Sequence, residues 1–153
     1  TMNEYYFHTL HHEFTHILNQ KIPYDRSYDL ITESGYVSGN WYMISDTEAH
    51  KAGFVTPYAM AEPVEDFAEM LSTYICNTPE QWQEWLKEAG TGVASSNSSE
   101  LTGAAAIQQK LEIVRTYMKQ NFNIDIDDLR TEILRREGDV LNGYVNLTDL
   151  TVK

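Results

Sequence analysis

The sequence is poor in cysteine and in basic side chains. It has one cysteine, and its 11 lysines and arginines stand against 23 aspartates and glutamates, which gives a net charge of −12. A single cysteine excludes an internal disulfide. Because no basic stripe is present to meet phosphates or anionic headgroups, the composition argues against nucleic acid as a partner and against electrostatic docking on a membrane. The apolar runs are also too short to span a bilayer.

What is present suits a folded domain. Of the 153 residues 42% are hydrophobic, and the ten tyrosines and three tryptophans argue against disorder. We therefore expect one domain over residues 1–153 that is mainly α-helical with some β structure (α+β). Residues 1–90 contain the candidate metal ligands described below, residues 91–103 are expected to form a flexible loop, and residues 104–153 a C-terminal helical part.

One segment carries a pattern typical of a metal site. The stretch His12-Glu13-Phe14-Thr15-His16 reads H-E-x-x-H, and the apolar residues around it recur at three- and four-residue steps, which predicts a helix. Residues four apart lie on the same face of a helix, so His12 and His16 can bind one cation. Glu13 stands beside the first histidine, where a carboxylate can act as general base. Since imidazole nitrogen is a preferred ligand of Zn²⁺, the segment predicts a zinc site.

His8 offers an alternative metal pair. It lies one turn before His12, so that three histidines share one helix face. At 1.5 Å per residue the row from His8 to His16 spans about 12 Å, which is too far for one zinc. The metal pair is therefore either His8 with His12 or His12 with His16, and only the second has a glutamate in the base position.

A protein zinc site needs a third ligand, and two carboxylates are candidates. The segment Glu65-Asp66-Phe67-Ala68-Glu69 lies in a second predicted helix, in which Glu65 and Glu69 share one face. Two carboxylates placed in this way can supply one metal ligand and one acceptor that orients a ligating histidine. Glu33 is the rival, because it follows His16 more closely, although it lies in turn-like sequence.

The combination of H-E-F-x-H with a later E-x-F-A-E resembles the lethal-factor-like branch of the gluzincins, which are zinc metallopeptidases. In that branch the two histidines and the first glutamate of E-x-F-A-E hold the zinc. The resemblance therefore implies His12, His16 and Glu65 as the metal ligands.

The same resemblance assigns three further roles. It implies Glu13 as the general base and places Glu69 behind the metal ligands, where it would orient one of them. In this branch a tyrosine seven residues before the ligand glutamate faces the metal, and Tyr58 holds that position. Tyr58 would stabilise the oxyanion or assist the leaving group.

The wider sequence is similar to a bacterial family of zinc metallopeptidases that are surface lipoproteins associated with nutrient-import systems. The match runs through residues 11–18, 52–59 and 65–69, which is roughly the first half of the chain. The resemblance implies Zn²⁺ as cofactor and a peptide or protein as substrate. It also implies association with an outer-membrane import complex, and a parent protein exported as a periplasmic or cell-surface lipoprotein.

One departure from the zincin pattern concerns the sheet that usually precedes the active-site helix. Here the candidate helix begins near residue 1, so we expect the chain to be the C-terminal part of a zincin-like metallopeptidase catalytic domain, without the upstream sheet. No signal peptide or lipobox-like cysteine is visible near the start, and we expect those signals in an upstream part of the parent protein.

The function predicted from these residues is zinc-dependent hydrolysis of peptide bonds by an activated water. An alternative of a different class is a catalytically inactive zinc-binding module beside a surface nutrient importer. Hydrolysis of a non-peptide amide is a third interpretation that the motif allows.

Local signals predict several element boundaries. Ser45 and Thr78 are typical N-caps. We expect a further helix that is capped by Asp127 and ends at Gly138, and a small hairpin within residues 37–44.

Overall fold

A computed structural model describes residues 2–143, and within that range the chain is mainly helical. Its α-helices follow in the order α1 (Met2–Lys21), α2 (Ser27–Ile31), α3 (Asp46–Ala52), α4 (Pro63–Cys76), α5 (Pro79–Ala89), α6 (Gly103–Phe122) and α7 (Ile126–Leu141). Three short 3₁₀-helices also occur, at Glu33–Gly35, Ser38–Met43 and Tyr58–Met60. The prediction of a mainly helical fold is confirmed, while the part of the C-terminal prediction that covers residues 144–153 lies outside the described residues.

Helix α4 lies at the centre of the packing. It contacts α1, α2, α6 and α7, and its residues 66–75 are all buried. Its apolar side chains lie on one side of the helix and its polar ones, among them Asp66 and Glu69, on the other, and neighbouring elements cover both sides. Proline at the first helical position starts α4 without losing a hydrogen bond, because the N–H there has no partner within the helix.

Helix α1 packs along α4 with a polar face. His12, Thr15 and Leu18 are buried, whereas Leu10 and Phe14 of the apolar stripe remain mostly exposed. Thr15 satisfies its buried hydroxyl by donating to the carbonyl of His11, one turn earlier. The side of α1 that faces the rest of the protein is therefore the side that carries its histidines.

Capping residues fix α3 and α5 as the sequence predicts. The Ser45 hydroxyl accepts from the backbone N–H of Glu48, and the Glu48 carboxylate accepts from the backbone N–H of Ser45. The Thr78 hydroxyl accepts from the backbone N–H of Gln81 at the start of α5. Each cap satisfies an N–H that has no partner within the helix.

Two local predictions are wrong. Residues 38–43 form a 3₁₀-helix, not a hairpin, because the backbone is satisfied locally and the N–H of Val37 donates to Met60 at 2.8 Å instead of to a second strand. Helix α7 is capped by Asp125, whose carboxylate accepts from the N–H of both Asp127 and Asp128, and it continues through Gly138. A single glycine inside a helix costs only about 1 kcal/mol relative to alanine, which the surrounding residues of α7 offset.

Within residues 2–143 the β pairing is a single antiparallel bridge. It joins Val93 and Thr102 in the segment between α5 and α6. The N–H of Ala94 donates to the carbonyl of Leu101 at 2.8 Å, and Ala94 is buried. None of the helices within residues 2–143 is both long enough and apolar enough to cross a bilayer.

An ion pair is buried in the core directly behind the first turn of α4. The ammonium of Lys110 on α6 lies 2.7 Å from the Asp66 carboxylate, and both side chains are fully buried. Lys110 also donates to the carbonyl of Gly53, and the Tyr36 hydroxyl donates to Asp66. Burial raises the pKa of Asp66 and lowers that of Lys110, and their mutual attraction opposes both shifts. The pair ties α4 to α6 and to the turn after α3.

Candidate metal centre

The candidate site lies where α1 crosses the first two turns of α4. His8, His12 and His16 repeat every four residues along α1, and Glu65 and Glu69 do so along α4. Side chains at this spacing lie on one face of a helix. Because α1 and α4 pack against each other, the histidine row of one helix meets the carboxylate row of the other.

Three of these side chains converge on one point. The Nε2 atom of His12 lies 2.8 Å from Oε2 of Glu65, and Nε2 of His16 lies 3.0 Å from the same oxygen. The two Nε2 atoms are 3.0 Å apart. The site therefore presents a triangle of two imidazole nitrogens and one carboxylate oxygen.

This triangle fits a cation better than it fits a set of hydrogen bonds. Nδ1 of His12 lies 3.0 Å from Oε2 of Glu69, and a neutral imidazole that donates from Nδ1 keeps a lone pair on Nε2. His16 has one proton at most on Nε2, so it cannot satisfy all three sides of the triangle. The ligand atoms of a tetrahedral zinc stand about 3.3 Å apart, which these three atoms reach by moving a few tenths of an ångström.

Glu69 is the second carboxylate of the site, and it is buried. Its Oε2 accepts from Nδ1 of His12 and, at 2.6 Å, from Nε2 of His8. Burial alone would raise the pKa of Glu69, but the hydrogen bonds from His12 and His8 outweigh burial and lower this pKa to about 2. Glu69 is therefore ionised at neutral pH and holds His12 in one ring orientation, the arrangement that ligating histidines commonly have.

Glu13 lies at the rim of the triangle, between two cavities. One cavity, of about 450 Å³, is lined by Glu13, His16 and Glu65 together with residues that follow α1. The other, of about 370 Å³, is lined by Glu13, His12, Trp41 and Tyr58 among others. Glu13 is exposed and borders both spaces.

Tyr58 begins the short 3₁₀-helix Tyr58–Met60 and borders the second cavity. Its ring centroid lies 5.7 Å from that of His12 and 5.0 Å from that of Trp41. Burial, followed by the negative charge and hydrogen bond of Glu65, raises the pKa of Tyr58 to about 12. A phenol in this state donates a hydrogen bond at neutral pH.

The alternatives for the ligand set are placed differently. Among the described residues, two groups of possible metal ligands occur: His12 with His16 and Glu65, and His8 with His12 and Glu69. In the second group each histidine makes one ordinary hydrogen bond to Glu69, which already satisfies its ring nitrogen. Glu33 is exposed in the 3₁₀-helix Glu33–Gly35 and belongs to neither group.

Two features of the site region are not predicted from the sequence. The Thr56 hydroxyl donates to Oε1 of Glu69 at 2.9 Å, and nothing in the local pattern around Thr56 indicates this contact. The buried ion pair of Asp66 and Lys110 does have a signal. Lys110 falls between Ile107 and Leu111 on the inward face of α6, where a charged residue needs a buried partner.

Comparison with known proteins gives the class of this chain. A family model described as a putative zinc-binding metallo-peptidase matches residues 1–127, and the chain belongs to that family. No curated protein matches the chain significantly.

A solved structure agrees with the family. The crystal structure of a putative zinc-binding metallo-peptidase from Bacteroides caccae ATCC 43185 is similar over 92% of this chain, with a TM-score of 0.80 and 38% sequence identity. The match covers 50% of that protein, so this chain spans about half its length. Membership of a zinc-binding family agrees with the donor set of two imidazoles and one carboxylate, and it makes Zn²⁺ the expected metal.

Proposed function

We propose that this chain carries the metal centre of a gluzincin-type zinc peptidase, with His12, His16 and Glu65 as the metal ligands. The observation that carries the proposal is the triangle of their three donor atoms, each within 3.0 Å of the other two. Two imidazoles and one carboxylate leave a fourth position open, which is the ligand set of a catalytic zinc site. When bound there, Zn²⁺ polarises a carbonyl oxygen and lowers the pKa of a coordinated water to about 7.

The side chains around the triangle have the chemistry that hydrolysis of an amide requires. Glu13 accepts a proton from the attacking water and delivers it to the departing amine. The Tyr58 hydroxyl donates a hydrogen bond to the oxygen on which negative charge develops. Glu69 keeps Nε2 of His12 directed at the metal position. We place an extended peptide substrate along the two cavities that Glu13 borders.

The first experiment measures metal content by mass spectrometry. We expect about one zinc per chain in the unsubstituted 153-residue chain (the parent chain), with loss of the metal in His12→Ala. His11→Ala is a matched control, because His11 is the adjacent histidine of α1 and belongs to neither group of possible ligands. Zinc retained in His12→Ala would contradict the ligand assignment. A parent chain that takes up no zinc on reloading would contradict the proposal for this chain.

The second experiment measures turnover on unfolded casein with and without a chelator. Glu13→Gln keeps the metal ligands and removes the base, so we expect it to retain zinc and to lower kcat by about 10²- to 10⁴-fold. Hydrolysis that survives in Glu13→Gln would rule out this role for Glu13. Zinc binding without chelator-sensitive hydrolysis in the parent would instead favour the inactive zinc-binding module.

We also propose, on the sequence resemblance alone, that the full-length protein is an exported lipoprotein that works beside an outer-membrane nutrient importer. The supporting residues are those of the matched segments 11–18, 52–59 and 65–69. Fractionation of cells that produce the full-length protein tests this directly. Recovery in the cytoplasmic fraction would contradict it.

A further inference from the structure

The backbone that carries Tyr58 is a short turn, not a long helix. Tyr58–Met60 is a single 3₁₀ turn, in which the N–H of Met60 donates to Pro57 and the N–H of Ala61 donates to Tyr58. A turn of this length has too few internal hydrogen bonds to hold a side chain rigidly. Contacts from outside the turn must therefore fix it.

Thr56 supplies such a contact through a hydroxyl that makes two hydrogen bonds. It donates to Oε1 of Glu69 at 2.9 Å, and it accepts from the backbone N–H of Ala59 at 3.1 Å. Ala59 is fully buried and follows Tyr58 directly. The hydroxyl thus ties the residue next to Tyr58 to a carboxylate on α4.

The same carboxylate holds a proposed metal ligand on its other oxygen. Oε2 of Glu69 accepts from Nδ1 of His12 at 3.0 Å, and Glu69 is only 5% exposed. One rigid, buried carboxylate therefore connects His12 on one side with the turn of Tyr58 on the other. Burial and hydrogen bonds on both oxygens restrain the Glu69 side chain, and Thr56 is β-branched, so its χ1 angle is restricted.

We propose that Thr56 is a positioning residue, which fixes the Tyr58 hydroxyl relative to the triangle of His12, His16 and Glu65 by way of Glu69. The proposal rests on the proposed function for the role of Tyr58 in turnover, but the geometric link can be tested without activity.

The first test measures hydrogen exchange of the Ala59 amide in the 153-residue chain. Thr56→Val removes the acceptor while preserving shape, so we expect exchange at Ala59 to accelerate about five- to tenfold, with Thr56→Ser close to the parent rate. Thr73→Val is a matched control, since Thr73 is a buried threonine of α4 whose hydroxyl has no hydrogen-bond partner in the structure. Unchanged exchange at Ala59 in Thr56→Val would overturn the proposal. If Thr56→Val fails to fold, Thr56→Ala provides the same comparison.

The second test separates positioning from general stability by kinetics. We expect Thr56→Val to lower kcat about tenfold with little change in KM or zinc content, and Thr56→Ser to restore it. In a Tyr58→Phe background the hydroxyl to be positioned is gone, so Thr56→Val should then change kcat by less than about twofold. An equal loss in both backgrounds would overturn the proposal.

The two failures can be told apart. A parent chain that binds zinc but shows no hydrolysis dependent on Glu13 contradicts the proposed function, whereas the exchange rate at Ala59 still decides whether Thr56 ties the turn to Glu69. Hydrolysis dependent on Glu13 with unchanged exchange in Thr56→Val contradicts the positioning role alone.

Discussion

Helices α1 and α4 both carry site residues four apart, yet α4 is buried on all sides and α1 on one side only. On α4 every residue from 66 to 75 is buried, and most of them are apolar. On α1 the buried residues include His12 and Thr15, while Phe14 is 51% exposed. Hydrophobic burial accounts for the orientation of α4, because its apolar residues, such as Phe67 and Leu71, lie on one side and must face the core. The orientation of α1 follows from polar contacts, chiefly those of its histidines with Glu65 and Glu69.

The largest expected effect tests whether α4 supplies the third ligand to the α1 histidines. Glu65→Ala should weaken zinc binding by more than about 100-fold, which exceeds the 10- to 100-fold typical of a residue that only orients a ligand. Glu69→Gln should fall within that lower range. Zinc affinity is measured by competition with a chelating dye.

Glu33→Ala is the control for this series, since Glu33 is the rival carboxylate in the sequence and is exposed away from both groups of possible ligands. We expect it to bind zinc as the parent does. Parent-like affinity in Glu65→Ala, or a strong loss in Glu33→Ala, would show that the third ligand is wrongly assigned.

The same truncation on the two helices should give very different losses of stability. Phe67 on α4 is fully buried, so Phe67→Ala should lower the free energy of unfolding by about 3–5 kcal/mol. Phe14 on α1 is half exposed, and Phe14→Ala should change it by less than about 1 kcal/mol. Urea unfolding measures both. Comparable losses would mean that the outer face of α1 is covered in solution.

The buried ion pair behind α4 predicts an effect of similar size. Lys110→Met leaves the Asp66 carboxylate buried without its cation, which should cost about 3–5 kcal/mol in urea unfolding. The double variant Asp66→Asn with Lys110→Met removes both charges and should recover part of that loss. A double variant less stable than Lys110→Met alone would contradict this account.

The smallest effect concerns pH and the far end of α4. Asp127 on α7 accepts hydrogen bonds from Arg115 and from the Tyr74 hydroxyl of α4. The hydrogen bond from Arg115 is the largest cause that lowers the pKa of Asp127 in the folded protein. The stabilisation is therefore present above the unfolded-state pKa of about 4 and is lost as the pH falls through the lower folded-state value.

Because Asp127 is 54% exposed, solvent screening limits this contribution to less than about 1 kcal/mol. Asp127→Asn should thus be slightly less stable than the parent at pH 7, and the two should converge below about pH 4. Asp128→Asn is the control. Asp128 also lies in the first turn of α7, where a negative charge stabilises the helix, but the Tyr74 hydroxyl donates to Asp127 and not to Asp128. A difference that persists at pH 2 would contradict an electrostatic origin.

The sequence predicts most helices of this protein because their signals are local. The capping pairs at Ser45 and Thr78 act within four residues, and they start α3 and α5 in the structure. The hairpin predicted within residues 37–44 is wrong because the conformation there depends on a contact that is not local. Its apolar residues suit a strand, but a strand needs a partner, and the backbone of Val37 bonds instead to Met60, which is distant in sequence.

The candidate site likewise has one part that the local sequence encodes and another that it does not. Once the segment is helical, the spacing of His12 and His16 places two imidazoles on one helix face with Glu13 beside them, so this part of the site can be predicted from the sequence. Helix periodicity is a property of neighbouring residues, so a short pattern is enough to encode it.

The residue pattern left Glu65 and Glu33 open as the third ligand, and the tertiary structure decided which of them meets these histidines. Glu65 lies 2.8 Å from His12 although 53 residues separate them, and Glu33, which is nearer in sequence, lies elsewhere. The role of Thr56 and the burial of Lys110 likewise depend on how α1, α4 and α6 pack. Such contacts depend on how neighbouring elements cover α4 on all sides. This packing involves the whole core at once, so no short sequence pattern encodes it.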